Sequence, residues 1–354
     1  MKTNILISTG GSGGHVIPAT ILYEHLSKDA YVTISTDKRG SRYLDKDNYT
    51  YNVIDTPKLS NIFFFPFNLI LILFLTLKSL FLLKNKKIKK LISTGGYMSL
   101  PLILAAKLLN LKVYLLEPNM VLGRANKYFL NSCSKIFCYS EQIKNFPNNL
   151  KNKMEIIKPL VRENIYKLNL SSLNKEKFNL LIVGGSQGAS FFDKNLKNSI
   201  VNISKKYSIR IIQQTDEKNI SDLKDFYFKN NIENMIFSFD NNFANIIQQA
   251  DLCVTRAGAS TLAELSILNI PFIAVPLPTS KDNHQFENAN FYKNYDCCWI
   301  IEQKYFEEKI EGILKDILIN KSDYLKKKEN LKILNYHNTW INVNQKILKS
   351  INEN

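Results

Sequence analysis

Short apolar runs alternate with segments of helical periodicity along most of the chain. Each run has the length of a buried strand, and a polar or glycine-rich turn separates it from the next helical segment. The predicted strands are residues 5–7, 31–35, 91–93, 112–116, 136–139, 155–157, 180–183, 209–213, 235–239, 252–255 and 270–276. The helical segments between them include residues 16–27, 101–109, 242–249 and one that carries Asn288 and Ala289. This alternation predicts parallel sheets covered by helices on both faces.

The alternation occurs twice, on either side of a polar stretch rich in Asn, Ser and Lys that runs to about residue 178. A chain of 354 residues is too long for one ordinary core and long enough for two. We therefore expect two Rossmann-like α/β domains, residues 1–160 and 161–354. The last helix is a candidate to pack back on the first domain.

Two similar glycine-rich loops open the two halves of the chain. Residues 10–15 read Gly-Gly-Ser-Gly-Gly-His, and residues 184–189 read Gly-Gly-Ser-Gln-Gly-Ala. Each follows a predicted strand and precedes a helix, so backbone N–H groups and the positive end of a helix dipole are aimed at an anion. One such loop is often purely structural, whereas two suggest paired domains facing one phosphate-bearing ligand.

A dinucleotide-binding unit is one alternative for the first half. Asp37 lies just beyond the second strand, roughly where such a unit places its ribose-binding acid. A G-x-G-x-x-G register that starts at Gly11, however, puts Val16 where the third glycine belongs. The nicotinamide-dependent oxidoreductase therefore stays open but is disfavoured. No G-x-x-x-x-G-K-[ST] sequence occurs, which argues against a P-loop ATPase.

Residues 62–83 are the most apolar stretch of the chain. A membrane-spanning helix needs about 20 apolar residues, but Pro66, Asn68 and Lys78 interrupt this run. Crossing a bilayer here would also split one predicted domain. We expect a helix that packs on the sheet by one face and dips into lipid by another; a wholly buried core helix is the plainer alternative. Five lysines follow within residues 84–90 and suit an anionic leaflet.

The chain has a formal net charge of +16, because it contains 47 Lys+Arg residues and 31 Asp+Glu residues. Such a balance implies an anionic partner: nucleic acid, a phospholipid surface or a nucleotide. A nucleic-acid binder lacks support because no aromatic-basic motif occurs. The five cysteines form no CxxC pair and no metal-ligand cluster with the histidines, which favours reduced thiols in a cytoplasmic protein. The N-terminus enters a strand directly, so we expect no signal peptide.

Several polar residues allow both a functional and a structural interpretation. His15 lies at the positive end of the first helix, which favours a neutral ring that can accept a proton; it is a candidate base or a loop cap. Glu264 completes the capping-box pattern of residues 261–264, or binds the hydroxyls of a ribose. Arg162 and Arg256 either neutralise phosphate or face solvent.

Five motifs together resemble one known family. They are residues 10–18, 94–97, 184–189, 256–264 and 282–289. In this order, over nearly the full length, they are similar to the bacterial UDP-N-acetylglucosamine–N-acetylmuramyl-(pentapeptide) pyrophosphoryl-undecaprenol N-acetylglucosamine transferases. The resemblance implies two Rossmann-like domains facing a cleft (the GT-B architecture) and an inverting, metal-independent transferase without a cofactor.

The resemblance also implies roles for individual residues. His15 becomes the candidate general base for the acceptor hydroxyl, and Asn119 a contact of the sugar. The other implied contacts of UDP-N-acetylglucosamine fall into groups. Ser12, Gly13 and Gly14 lie at the donor–acceptor interface, Arg162 and Ser186 bind the diphosphate, and Gln285 binds the sugar. The backbone of Asp240 binds uracil, Glu264 binds the ribose, and the nucleotide site is lined by Ala259, Ser260, Thr261, Leu262, Ala263 and Glu264.

The implied reaction moves N-acetylglucosamine from UDP-N-acetylglucosamine to the 4-hydroxyl of the muramyl sugar of undecaprenyl-diphosphate-N-acetylmuramyl-pentapeptide. The product is the final lipid-linked precursor of peptidoglycan, which links the enzyme to cell-wall biogenesis, cell shape and cell division. The implied location is peripheral, on the cytoplasmic face of the inner membrane, against anionic phospholipid and without nucleic acid. A related UDP-sugar-dependent glycolipid synthase is the closest alternative, and only the acceptor distinguishes the two.

Overall fold

The computed structural model describes residues 2–57, 65–168, 176–185, 189–238 and 243–353. The chain divides into two compact units. The first unit comprises Met1–Glu163 and Thr339–Asn354, and the second comprises Asn164–Asn338. Each contains its own parallel sheet, of seven strands in the first unit and six in the second. The predicted class of two Rossmann-like α/β domains is therefore confirmed.

The first unit is built on a sheet in the order β3-β2-β1-β4-β5-β6-β7. Its strands are β1 Thr3–Ser8, β2 Ala30–Thr36, β3 Tyr51–Val53, β4 Lys90–Ser93, β5 Lys112–Glu117, β6 Lys135–Cys138 and β7 Met154–Ile156. The helices of this part of the chain are α1 Gly13–Leu26, α2 Phe65–Asn85, α3 Leu100–Leu108, α4 Arg124–Phe129 and the short α5 Glu163–Tyr166. The strand order reverses between β1 and β4, and ligands of open α/β sheets bind at such a switch point.

The second unit repeats this plan with the order β10-β9-β8-β11-β12-β13. Its strands are β8 Phe178–Val183, β9 Ile209–Gln214, β10 Glu233–Phe237, β11 Leu252–Thr255, β12 Phe272–Ala274 and β13 Cys298–Ile300. Its helices are α6 Ala189–Asn195, α7 Lys197–Ser204, α8 Ile220–Lys229, α9 Phe243–Ile247, α10 Ala259–Ile267, α11 His284–Asn294, α12 Phe306–Ile319 and α13 Lys321–Leu334. Here the order reverses between β8 and β11, which are paired in register with Val183 opposite Thr255.

The last helix, α14 Trp340–Asn352, belongs to the first unit. The His25 ring of α1 stacks on Trp340 with ring centroids 3.5 Å apart. At the other end of α14, the Lys90 ammonium group donates to the Asn352 side chain at 2.9 Å. A cation at a helix C-terminus offsets the negative end of the dipole. Part of the excess positive charge is thus used to anchor this helix.

Helix α2 has two different faces. Its buried face, which includes Ile72, Leu75 and Leu83, packs against α3. Seven large apolar side chains on the other side are 48–67% exposed and form what we name the apolar face of α2: Phe67, Leu69, Ile70, Leu73, Phe74, Leu77 and Phe81. Among the described helices, α2 alone is long and apolar enough to cross a bilayer by length and composition, and 33% of its apolar window is buried. Residues 62–64 of the predicted apolar segment lie outside the described residues.

Local boundaries differ from the sequence predictions where the pattern is weak. The predicted helix of residues 16–27 places Pro18 in its first turn, but helix α1 begins at Gly13, inside the glycine loop, so Pro18 lies in the helix interior. Strands β3 and β13 were not predicted, and each has only three residues at a sheet edge. Strand β3 shows no apolar run, whereas β13 lies in the short apolar run of residues 297–301, which the sequence prediction did not assign to a strand. A proline in a helix interior removes one hydrogen bond of the helix, so the helical periodicity, which allows a proline in the first turn, does not predict it there.

Candidate active site

The switch point of the first unit places His15 beside the loop that follows β4. His15 lies in the first turn of α1, and its Nδ1 is 2.8 Å from the backbone oxygen of Thr94. A carbonyl oxygen only accepts hydrogen bonds, so Nδ1 carries the proton and donates it. This bond fixes the tautomer in which Nε2 holds the lone pair. In the neutral form of the ring, Nε2 is therefore the nitrogen that can accept a proton.

The third glycine turn, residues 94–97, encloses the His15 ring. Gly95 and Gly96 have φ angles of +92° and +86°, which glycine adopts readily. A Cβ atom on Gly95 would lie 3.3 Å from His15 Cε1, and one on Gly96 would lie 2.3 Å from Met98 Sδ. The missing side chain of Gly95 thus lets the loop approach the ring, and that of Gly96 leaves room for Met98. The sequence showed this motif without showing what it surrounds.

Asp37 holds the first glycine loop in place. Its Oδ1 accepts the backbone N–H groups of Gly11 and Gly40, each at 2.8 Å. Its Oδ2 accepts both Nε and Nη2 of Arg39, which also donates to the Tyr97 hydroxyl at 2.6 Å. Burial alone would raise the pKa of Asp37, but these hydrogen bonds bring it below its usual value.

This arrangement bears on the dinucleotide alternative. Both carboxylate oxygens of Asp37 are engaged within the protein, so the side chain is a brace of the loop and not a ready ribose ligand. The loop register also lacks the third glycine. The nicotinamide interpretation therefore loses the one residue that supported it.

Glu117, the last residue of β5, is a buried hub that sequence reasoning missed. Its Oε1 accepts the backbone and side-chain N–H groups of Asn119, at 3.2 and 3.1 Å. Its Oε2 accepts from the Gly123 backbone at 2.7 Å and the Asn126 side chain at 2.9 Å. Burial raises the pKa of Glu117, and these four donors oppose that rise. Glu117 thus orients Asn119, the predicted sugar contact.

Arg162 lies in the first unit, close to Glu24 near the C-terminal end of α1. Burial raises the pKa of Glu24 and raises that of Tyr49 to about 12, and the positive charge of Arg162 partly counteracts both shifts. The guanidinium therefore has an acidic neighbour on α1. Its role on the diphosphate stays a prediction.

The second switch point brings the end of β8, which leads into the second glycine loop, next to the segment between β11 and α10. The N–H of Arg256 donates to the backbone oxygen of Val183, directly before that loop. Gly185 has a φ of +62°, and an added Cβ atom would meet no atom within 4 Å. The same is true of Gly258, the N-cap of α10, which forms no side-chain cap bond. Open space thus borders Gly185 and Gly258, while the N–H of Gly185 donates to Gln214 Oε1 at 3.1 Å.

Two predicted donor-site residues, Ser186 and Asp240, lie outside the described residues. Their roles therefore stay predictions. The remaining residues of the predicted nucleotide site, 259–264, form the first turns of α10.

The structure corrects one interpretation of Glu264. Because α10 begins at Ala259 with Gly258 as its N-cap, Thr261 lies inside the helix and the capping-box interpretation is wrong. Glu264 falls in the second turn and is only 3% exposed. The side chains of Leu262 and Ala263 are buried in the core, so they can meet a ligand only through their backbone.

The motif at residues 282–289 braces the loop after β12. Gln285 Oε1 accepts the N–H of Leu277 at 2.9 Å. The Asn288 side chain donates to the backbone oxygen of Ala257 at 3.1 Å, which ties α11 to the start of α10. In the described part of the chain, no three His, Cys, Asp or Glu residues come together as a metal site.

The fold of two parallel-sheet units agrees with comparisons to known proteins. The N-terminal domain model of glycosyltransferase family 28 matches residues 5–138, and its C-terminal domain model matches residues 179–339. A curated UDP-N-acetylglucosamine–N-acetylmuramyl-(pentapeptide) pyrophosphoryl-undecaprenol N-acetylglucosamine transferase of Pelagibacter ubique is 50% identical, over 100% of both chains. The chain belongs to this family of glycosyltransferases.

Further similarities extend this result. The transferase of the same name from Rickettsia canadensis is 37% identical over 86% of each chain. The crystal structure of Acinetobacter baumannii MurG is 24% identical, with a TM-score of 0.76 over 99% of this chain and 100% of that chain, which supports the GT-B fold. The family resemblance of the five motifs is thus confirmed, and so is the expected enzyme class, a UDP-sugar-dependent glycosyltransferase.

Proposed function

We propose that this chain transfers N-acetylglucosamine from UDP-N-acetylglucosamine to the 4-hydroxyl of the muramyl sugar of undecaprenyl-diphosphate-N-acetylmuramyl-pentapeptide, with inversion. The observation that carries this proposal is the full-length similarity to the Pelagibacter ubique protein, whose name states the donor sugar and the lipid-linked acceptor. The product is the last lipid-linked precursor of peptidoglycan, so the enzyme serves cell-wall synthesis, cell shape and division.

On the acceptor side, the 4-hydroxyl attacks the anomeric carbon from the face opposite UDP. His15 Nε2 takes the hydroxyl proton as the new C–O bond forms and the bond to UDP breaks. The hydrogen bond from Nδ1 to Thr94 keeps the ring in the tautomer that can accept this proton. Ser12, Gly13 and Gly14, which directly precede His15 in the first glycine loop, lie at the donor–acceptor interface. Asn119, which Glu117 orients, contacts the sugar.

On the donor side, the departing diphosphate needs positive charge or N–H donors. Backbone N–H groups at a glycine loop and at the N-terminus of a helix supply them without a divalent cation. The second glycine loop with Ser186 and the start of α10 are the proposed donors, and Arg162 assists them. Glu264 binds the ribose, the backbone at Asp240 binds uracil, and Gln285 binds the sugar.

The base assignment is tested by His15→Ala, with His15→Gln as a second variant. General base catalysis contributes about 10²–10⁴-fold, so kcat should fall by that factor. UDP affinity, measured by calorimetry, should change by less than about threefold, because the proposed nucleotide contacts are elsewhere. Turnover equal to that of the unmutated enzyme would remove His15 as the base.

We further propose that the enzyme is peripheral on the cytoplasmic face of the inner membrane, held by the apolar face of α2. Burying one Leu or Phe side chain contributes about 1.5–3 kcal/mol, and each nearby Lys about 1 kcal/mol on an anionic surface. The apolar face of α2 and the lysines of residues 84–90 together suffice for reversible binding of the enzyme to an anionic membrane.

Vesicle flotation tests this attachment. The enzyme should float with vesicles that contain anionic phosphatidylglycerol and less with pure phosphatidylcholine. Leu73→Asp combined with Phe74→Asp should weaken binding at least about tenfold, because both side chains are exposed and apolar. Phe228→Asp is the matched control, since Phe228 is 81% exposed in the second unit. Flotation unchanged in the α2 variant would contradict the proposal.

A further inference from the structure

Arg256 is a buried cation at the switch point of the second unit. It directly follows β11, and only 7% of the residue is exposed. Its Nη1 donates to the backbone oxygen of Val275 at 3.1 Å, and its Nη2 donates to Gln303 Oε1 at 2.7 Å. The guanidinium also lies over the rings of Phe191 and Phe192, at 4.6 and 5.2 Å from their centroids.

None of these neighbours carries a negative charge. Burial is the cause that lowers the pKa of Arg256 to about 10, with no contribution from a carboxylate, so the side chain stays protonated at neutral pH. Among the described residues its buried Nε has no hydrogen-bond partner. A buried charge is normally paired, because desolvation strongly disfavours an isolated ion. Neutral oxygens and aromatic faces compensate only part of that cost.

The surroundings of Arg256 indicate what could compensate its charge. Its own N–H binds Val183, the residue before the second glycine loop. The two rings beneath its guanidinium belong to α6, the helix after that loop. The helix α10 begins at Ala259, shortly after Arg256. Arg256 thus lies between the end of β11 and the first turn of α10, and its guanidinium packs on the first turn of α6.

We propose that Arg256 is a fixed positive charge that stabilises the diphosphate of UDP through space, and that the bound nucleotide is its missing counter-charge. The inference rests on the proposed function and adds to it an electrostatic residue that acts from inside the second unit. Since attraction between charges grows with the charge of the ligand, the contribution of Arg256 should be largest for UDP, smaller for UMP and absent for uridine.

Calorimetric titration with these three ligands at low salt tests the proposal. We expect Arg256→Met to weaken UDP binding about tenfold or more, to weaken UMP binding less and to leave uridine binding unchanged. Arg256→Lys keeps the charge and loses the planar fork, so it should retain most of the UDP affinity. Gln303→Ala is the matched control, because it removes one hydrogen-bond partner and keeps the cation; it should follow the unmutated enzyme.

Two outcomes overturn the inference. One is an equal loss for UDP, UMP and uridine in Arg256→Met, and the other is Arg256→Lys behaving like Arg256→Met. Either would make Arg256 a hydrogen-bonding brace of the loops after β12 and β13. If Arg256→Met does not fold, as judged by circular dichroism, Arg256→Gln replaces it in the same series. Unmutated enzyme that fails to bind UDP would instead contradict the proposed function itself.

Discussion

Replacing Glu117 by Gln tests whether a buried carboxylate organises the acceptor side of the site. Each oxygen of Glu117 accepts two N–H groups, from Asn119 on one side and from Gly123 and Asn126 on the other. Glutamine has nearly the same shape, but one of its two terminal groups is itself a donor. In either orientation, two N–H donors then face an NH₂ group and lose their acceptor.

The size of the effect follows from these four bonds. A hydrogen bond to a charged group contributes about 1.5–3 kcal/mol, so losing two costs about 3–6 kcal/mol. The neutral amide is easier to bury than a carboxylate, which places the expected loss near the lower value. For a unit of this size, about 3 kcal/mol lowers the melting temperature by about 6–12 °C. The change should be visible in a cooperative unfolding transition.

Calorimetric melting and steady-state transfer kinetics together measure the result. Glu117→Gln should melt earlier and lose kcat/KM, because Asn119 is no longer held. UDP affinity should persist if the second unit binds the nucleotide. Glu141→Gln is the control, since Glu141 is an exposed carboxylate of the same unit. A Glu117→Gln enzyme with unchanged melting and kinetics would refute the role of Glu117 as the hub.

Two further predictions concern the first unit. Asp37→Ala removes the acceptor of the Gly11 and Gly40 N–H groups; it should cost about 1–3 kcal/mol of stability and reduce kcat without weakening UDP binding, measured by melting, kinetics and calorimetry. Burial lowers the pKa of His25 to about 4 from 6.5. The unfolded chain therefore binds the extra proton, and stability should fall by up to about 3 kcal/mol as pH drops from 6.5 to 4. Chemical denaturation of His25→Phe should show a flatter pH dependence; an unchanged slope would contradict this.

The alternation of strand and helix was sufficient to predict the architecture. Buried parallel strands are continuous apolar runs, and glycine turns mark where they end, so two doubly wound sheets could be predicted from local pattern. The loops then had to meet at the carboxyl edge of each sheet, which placed His15 at a ligand-binding edge. Family resemblance added the substrates, which local pattern does not contain.

Other features depend on contacts between residues far apart in the chain. The bond between His15 and Thr94 and the brace from Asp37 to Gly11 join different loops, and periodicity carries no sign of them. The docking of α14 on α1 depends on a stacked pair, His25 and Trp340, at opposite ends of the sequence. Glu117 left one signal, a carboxylate at a strand end followed by two asparagines, but nothing local shows that its oxygens converge on them.

The transfer reaction itself is the most direct test of the central claim. Purified enzyme is mixed with UDP-N-acetylglucosamine labelled in the sugar, a muramyl-pentapeptide-diphosphate-lipid analogue and EDTA, with diacylglycerol as the alternative acceptor. The account predicts one labelled disaccharide-lipid product, formed at the same rate with or without EDTA, and no label on diacylglycerol. Enzyme that binds UDP but labels only diacylglycerol, or labels neither acceptor, would contradict it.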